Sequence, residues 1–176
     1  MNQNRENFIL RSTYQILQKE AKEIEKKLKT ETSPALKQTY ETGGYWHDNP
    51  QWDSTLKDYE RLKERLYEIR DILKNPIFIE DLSIDCSKIT IGTQIEVKDA
   101  SIGKVEIYRI VGSADVIYDP RGLEKKFVSW KSPIARSLLG KEVGDTVVIG
   151  LPNKTARLNI LTILPIQSLQ REKQQK

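Results

Sequence analysis

Apolar residues fall at Leu10, Tyr14, Leu17, Ala21, Ile24 and Leu28, alternately four and three apart, and again at Trp52, Tyr59, Leu62, Leu66, Ile69 and Leu73 on a seven-residue beat. That alternation draws one narrow seam along a helix, narrower than the face a globular core buries and suited to a single partner helix. Two seams joined by the short stretch Gly43 to Pro50 predict an antiparallel coiled-coil hairpin with a tip. The first arm is expected from about Glu6 to Thr30. Thr32-Ser33-Pro34 predicts a fresh start, with Ser33 as N-cap and Pro34 at the first helical position. A short second piece then runs to about Thr42 and ends at Gly43-Gly44, where a helix terminus favours the left-handed conformation. Asn49 caps and Pro50 opens the return helix, which continues to about Lys74 and stops at Asn75-Pro76, because proline pushes its predecessor out of the helical region. A helix of about 25 residues spans roughly 38 Å.

From Ile77 onward the period changes to two. Ile77-Phe78-Ile79, Thr93–Lys98, Lys104–Val111, Thr146–Ile149 and Ala156–Leu164 read as half-buried strands, and Ala100-Ser101-Ile102-Gly103 as a hairpin link. One short helix is expected between Pro133 and Gly140, capped by Ser132. The fold class is therefore α+β: a helical hairpin over residues 1–76 with its tip at 43–50, a small antiparallel sheet or open half-barrel with a helix on one face over 77–166, and a Gln/Lys-rich tail over 167–176.

Bulk properties narrow the function. Of the 176 residues, 31% are charged and 38% hydrophobic, and no apolar run approaches the ~20 residues that cross a bilayer. Residues 1–8 lack the apolar core of a secretory signal, so the expected location is cytoplasmic, with no membrane partner. Cys86 is the single cysteine and reads as a half-buried packing residue. The net charge of +4 is spread among alternating Lys and Glu on the helices, as in Lys19-Glu20-Ala21-Lys22-Glu23, a solvated pattern with i,i+4 pairs that carries no helix-turn-helix or finger motif for DNA. A free-standing enzyme is disfavoured as well. There is no nucleophile-base pairing, no Gly-rich phosphate loop, and one histidine cannot build the usual zinc site.

The segment Ser132-Pro133-Ile134-Ala135-Arg136-Ser137-Leu138-Leu139-Gly140-Lys141-Glu142-Val143-Gly144-Asp145 is the most specific motif. Read physically, Gly140 and Gly144 bracket a tight turn, Leu138 and Leu139 bury against the sheet, and Arg136 and Lys141 are left for solvent or a partner. The segment resembles the C-terminal signature of the Gre transcript-cleavage factors of bacterial RNA polymerase. Ile91-Gly92-Thr93 and Ile110-Val111-Gly112-Ser113-Ala114-Asp115 resemble further stretches of that family, and the order of hairpin and sheet agrees across nearly the whole chain.

The resemblance implies an FKBP-like sheet domain, without prolyl isomerase activity, that docks at the rim of the polymerase's secondary channel. Ser132, Pro133, Arg136 and Lys141 are the implied docking residues. It implies that the hairpin of a monomer enters that channel and that acidic tip residues help hold a second Mg²⁺ in the polymerase's own active centre. The polymerase then hydrolyses backtracked nascent RNA. The chain itself is no enzyme and binds no cofactor tightly when free. Two-metal hydrolysis needs a second ion where the polymerase alone holds it weakly, and Mg²⁺ takes one or two hard carboxylate oxygens with water and phosphate filling the rest.

The tip departs from the family, whose tip usually reads Gly-Asp-Leu-Ser-Glu-Asn. The corresponding stretch here is Gly44-Tyr45-Trp46-His47-Asp48-Asn49. Asp48 stands at the Glu position as the implied metal ligand, and Tyr45 replaces the second carboxylate. Asp48 has a plain structural alternative, complementing the dipole of the following helix. His47 is a candidate proton shuttle or, more plainly, a turn-holding side chain. Glu41 and Asp53 are candidate substitute acids. Tyr45, Trp46 and Asn49 are candidate tip contacts, the aromatics by stacking on an RNA base or wedging against the polymerase, while Trp52 lies on the seam as a plug. The missing carboxylate keeps open a second reading, a regulator that occupies the channel without cleavage.

Overall fold

The computed structural model describes residues 7–42, 49–151 and 154–166. Two compact units result: Tyr14–Asn75 forms one, and residues 7–13 join 76–166 in the other. The grouping of 7–13 with the sheet is not foreseen by a boundary drawn at residue 76. It follows from a strand, β1 (Asn7–Ile9), that occupies the start of the expected first helix and pairs in parallel with β2 (Pro76–Phe78), Phe8 lying opposite Ile77.

The helical unit contains α1 (Arg11–Lys27, its first turn belonging to the other unit), α2 (Ser33–Thr42) and α3 (Pro50–Leu73). The seam is where the periodicity places it. Leu17, Ala21, Ile24, Leu66 and Ile69 are buried, and Tyr14, Leu28, Trp52, Tyr59, Leu62 and Leu73 are half-buried. Leu10 is the exception: it precedes α1 and packs in the sheet unit. Two ion pairs link the arms. The Arg65 guanidinium grips both oxygens of Glu20 at 2.8 and 3.0 Å, and Arg70 reaches Glu25 at 2.8 Å. A fork geometry of this kind, partly shielded, contributes about 1 kcal/mol.

The expected break at Ser33-Pro34 is absent. Ser33 has φ −66° and ψ −41°, an ordinary helical residue, and α1 runs into α2 through a wide π turn, Leu28–Thr32. The reason is proline. Pro34 has no N–H to donate, and its ring would crowd the carbonyl four residues back. Widening the turn by one residue relieves the crowding, and the Ser33 N–H reaches the Leu28 carbonyl, five residues back. The Thr30 hydroxyl donates to the Lys26 carbonyl at 2.9 Å within the same turn.

The sheet unit continues from β2 through a 3₁₀ turn, Ile79–Asp81, to the elements β3 (Thr93–Asp99), β4 (Val105–Val111), α4 (Ser113–Tyr118), β5 (Phe127–Ser129), α5 (Pro133–Leu138), β6 (Thr146–Leu151) and β7 (Lys154–Pro165). The five strands form one sheet in the order β5-β4-β3-β7-β6. Three ladders are antiparallel as expected, and the fourth, β4 with β5, is parallel, so the sheet is mixed. The short elements α4 and β5 carry too few alternations to be legible as period two or 3.6.

Successive strand residues point to opposite faces, and at the end of β4 both faces are covered. Ile110 lies in the main core with Ile95, Val97 and the α5 residues Ala135 and Leu138. Its neighbour Val111 lies in a second cluster with Leu10, Ile79, Phe127 and Ile166, against which Phe8 packs. Cys86 is half-buried against the main core, as its sequence context suggests. Trp130 also packs there and meets the Phe8 ring edge-on at 5.6 Å.

The tightest approach between the N-terminal strand and the sheet is at Gly112, where an added Cβ would lie 1.8 Å from the Phe8 carbonyl oxygen. Both atoms belong to backbone that cannot swing away. Gly112→Ala is expected to destabilise the fold by about 3 kcal/mol through overpacking. Gly103→Ala, at φ +70° with open space around it, is expected to cost only about 1 kcal/mol of left-handed strain. Chemical denaturation of the two variants checks the ranking, and equal losses would show that residue 8 yields.

Candidate functional site

The distal part of the hairpin is built by caps. The Asn49 side chain accepts the Trp52 N–H at 3.1 Å, its carbonyl accepts the Asp53 N–H at 3.2 Å, and Pro50 sits at the first helical position. Asn49, a candidate tip contact, thus has a clear structural duty. Asp53 is exposed in the first turn of α3, where its charge complements the helix dipole. Glu41 is exposed on α2 and pairs with Lys37 at 3.7 Å. Tyr40 on α2 is 66% exposed and its ring meets Trp52 at 5.6 Å with a 51° tilt. Tyr45, Trp46, His47 and Asp48 lie outside the described residues. Among the described residues no cluster of three or more His, Cys, Asp or Glu side chains is arranged to hold a metal ion.

Beside the π turn, the two arms enclose an open groove of about 300 Å³ lined by Lys29, Lys63, Arg70, Tyr59 and Tyr67, with Glu25 as the acid. Lys63 sits 5.2 Å from the centre of the Tyr59 ring. Three cations against one carboxylate make this wall electropositive, with aromatic surface between the charges.

In the sheet unit the signature segment is a packing device with an exposed rim. Ser132 accepts the Ala135 N–H at 3.1 Å and Pro133 opens α5. Ala135 and Leu138 are fully buried and Leu139 partly so. The chain turns at Gly140 (φ +78°) and Gly144 (φ +93°). Gly140 N–H donates to the Ile89 carbonyl and Ile89 N–H to the Lys141 carbonyl, both at 2.8 Å. The Asp145 carboxylate accepts the Glu142 N–H at 2.9 Å and closes the turn. Arg136 and Lys141 stand exposed on this hydrogen-bonded base.

One set of residues escapes sequence reasoning. Asp115 is fully buried and accepts the backbone N–H groups of Leu10 and Gly112, each at 3.0 Å. Burial pushes its carboxyl up to about 6, against the hydrogen bonds that favour the charged form. Beside it, the Arg11 N–H donates to Glu80, and the Arg11 guanidinium pairs with Asp81 at 2.6 Å and lies 4.3 Å from the centre of the Phe78 ring. Asp119 is also buried. Burial raises its carboxyl, but the fork of Arg121 outweighs that and holds it below the usual range. The motif Ile110–Asp115 carries a signal for Asp115, an acid three residues after a glycine N-cap, but nothing local says that its second partner is Leu10.

The geometry defines a two-part α+β protein: a helical hairpin whose return helix is capped by Asn49, and a mixed-sheet unit that presents the hydrogen-bonded signature loop with Arg136 and Lys141 exposed. The family model described as "Transcription elongation factor, GreA/GreB, C-term" matches residues 84–165. Proteins named transcription elongation factor GreA are similar. The Shouchella clausii protein is 34% identical over 116 residues, 66% of this chain and 70% of its own length. The Thermotoga petrophila protein is 28% identical over 156 residues, 89% of this chain and 96% of its own. The crystal structure of GreA factor homolog 1 (Gfh1) of Thermus thermophilus is similar at 22% identity and a TM-score of 0.41, covering 91% of this chain and 99% of that one. The chain belongs to the GreA/GreB family of transcription elongation factors, an assignment that rests on the sequence relatives.

Asp115 generates a stability prediction. In the unfolded chain its carboxyl titrates near 3.8, in the fold near 6, so the folded chain binds the extra proton between those values. Its contribution to stability is therefore greatest at low pH and is lost as pH rises from about 4 through 6, by up to ~3 kcal/mol. Asp115→Asn removes the titration. Denaturation curves at pH 4.5 and 7.5 are expected to show wild type losing stability relative to the variant over that interval, and a pH-independent difference would contradict a protonated buried carboxyl.

Proposed function

We propose that this chain binds bacterial-type RNA polymerase as a monomer, enters its secondary channel with the helical hairpin and stimulates cleavage of backtracked nascent RNA, so rescuing arrested complexes. The observation that carries the reading is the joint one: a family signature folded as a rigid loop in the sheet unit, on a chain that also carries a helical hairpin of continuous, seamed helices. Arg136 and Lys141 supply exposed cations for docking at the channel rim, on a base set by Ser132 and Pro133. The electropositive groove of Lys29, Lys63 and Arg70 suits a phosphate-bearing strand such as the extruded RNA.

The chain is an accessory to hydrolysis by the polymerase, not an enzyme on its own. Asp48 is the residue that would lend a carboxylate to a Mg²⁺ shared with the polymerase, and a single hard oxygen donor fits that ion when water and phosphate complete its shell. When bound, such an ion activates water and stabilises the leaving oxygen. A phenol at Tyr45 is not the hard carboxylate oxygen such an ion prefers, so it does not fit as a second ligand. His47 is placed by sequence to orient water or relay a proton, and Glu41 and Asp53 flank the tip as further acids. Tyr45 also supports a second reading, in which the same hairpin occupies the channel and alters pausing without cleavage.

The two readings separate in one assay. Added to a backtracked elongation complex, the wild-type chain is expected to shorten the RNA to a re-extendable product, Asp48→Ala to abolish the shortening, and Tyr45→Asp to increase it. Channel occupancy with no shortening would favour the non-cleaving regulator.

A further inference from the structure

We infer that Tyr40, leaning on Trp52, is a stacking platform for one unpaired RNA base near the distal end of the hairpin, with Lys37 available to the adjoining phosphate. The inference rests on the polymerase reading above and adds to it a named contact for the RNA.

The first argument is exposure. A ring pair that served only to close a helix pair would bury both members, as Leu66 and Ile69 are buried further down the seam. Trp52 is half-buried and on the seam, but Tyr40 keeps 66% of its surface accessible while its ring is held 5.6 Å from the indole. The 51° tilt, midway between stacked and edge-on, sets the phenol against the indole while most of its surface stays accessible. An oriented, accessible π face accepts a nucleobase irrespective of its identity.

The second argument is charge. Lys37 lies one turn before Tyr40 on the same face of α2. Its side chain is 77% exposed and its ammonium meets Glu41 only at 3.7 Å, a surface contact of small energy. Exchange of that contact for a phosphate oxygen is inexpensive, and a base stacked on Tyr40 carries its phosphate on the neighbouring side. The third argument is distribution. Four of the chain's thirteen aromatic residues fall within residues 40–52, a stretch with few other large apolar side chains to form a core. An aromatic protein contact on the polymerase is the competing use of the same ring, and the experiment distinguishes it.

The full chain is added to elongation complexes backtracked by one nucleotide, with 2-aminopurine as the extruded 3′ base and Ca²⁺ in place of Mg²⁺ to hold the RNA intact. Occupancy is read separately, by displacement of a fluorescently labelled wild-type chain. Wild type and Tyr40→Phe are expected to quench the 2-aminopurine at saturation, and Tyr40→Leu to lose more than about half of that quench at equal occupancy. Equal quenching by Tyr40→Leu overturns the platform and leaves the polymerase reading intact. Loss of occupancy and quench together in Tyr40→Leu, with helicity unchanged by circular dichroism, assigns the ring to a protein contact and also overturns it. Failure of the wild-type chain to displace its labelled copy removes the polymerase reading and the platform with it.

Discussion

The sheet unit depends on a buried carboxylate that does two jobs. Asp115 closes the first turn of α4 through the Gly112 N–H and, 105 residues away in sequence, holds the Leu10 N–H at the point where the N-terminal strand gives way to α1. A carboxylate costs several kcal/mol to bury and is tolerated only with partners of this kind. Gly112 makes the arrangement feasible, because any side chain there would displace the Phe8 carbonyl. Arg11 adds an outer clasp on Glu80, Asp81 and the Phe78 ring. A three-residue parallel pair such as β1–β2 is marginal alone. Its persistence here follows from the contacts that flank it on both sides.

The helical unit solves a different problem. A long arm must carry a proline without losing direction, and the wide turn at Leu28–Thr32 lets Pro34 stay within a continuous helix. The same turn moves side chains off the strict seam spacing. The electropositive groove of Lys29, Lys63 and Arg70 lies against it, so the device that rescues the helix also shapes the surface available to an anionic strand.

What could be read from the sequence follows from the range of the interactions. The seam, the Asn49-Pro50 start and the Ser132-Pro133 start are local patterns, and each appears where periodicity and cap chemistry put it. The parallel pairing of β1 with β2, the parallel ladder of β5 and the Leu10–Asp115 bond join distant segments through too few residues to leave a period. Ser33-Pro34 is a case of two local rules in conflict. Cap and proline statistics favour a new helix, while the packed residues on either side, Leu28 and Leu62 among them, favour a continuous one, and tertiary packing prevails. At the distal end of the hairpin, Asn49, Glu41 and Asp53 are nameable as residue types, but their caps and ion pairs follow only from the fold. Tyr40 lies outside the seam spacing, and only the fold brings its ring against Trp52.

On the cleavage-stimulating reading proposed above, a tip with a single family-position carboxylate must still act. Catalysis by a borrowed ion has two requirements, a ligand for the metal and a fixed position for the phosphodiester to be cut. Loss of the acid at Tyr45 weakens the first. A stacked base on Tyr40 would strengthen the second, since holding a reacting strand in place lowers a barrier by restricting its motion before the step rather than by adding charge. Aromatic density and a missing carboxylate within the same short stretch would then be two sides of one exchange, orientation for electrostatics. The non-cleaving reading needs no such exchange, because a channel plug gains nothing from positioning the phosphodiester. The cleaving reading is therefore the one in which an exposed phenol at Tyr40 has work to do.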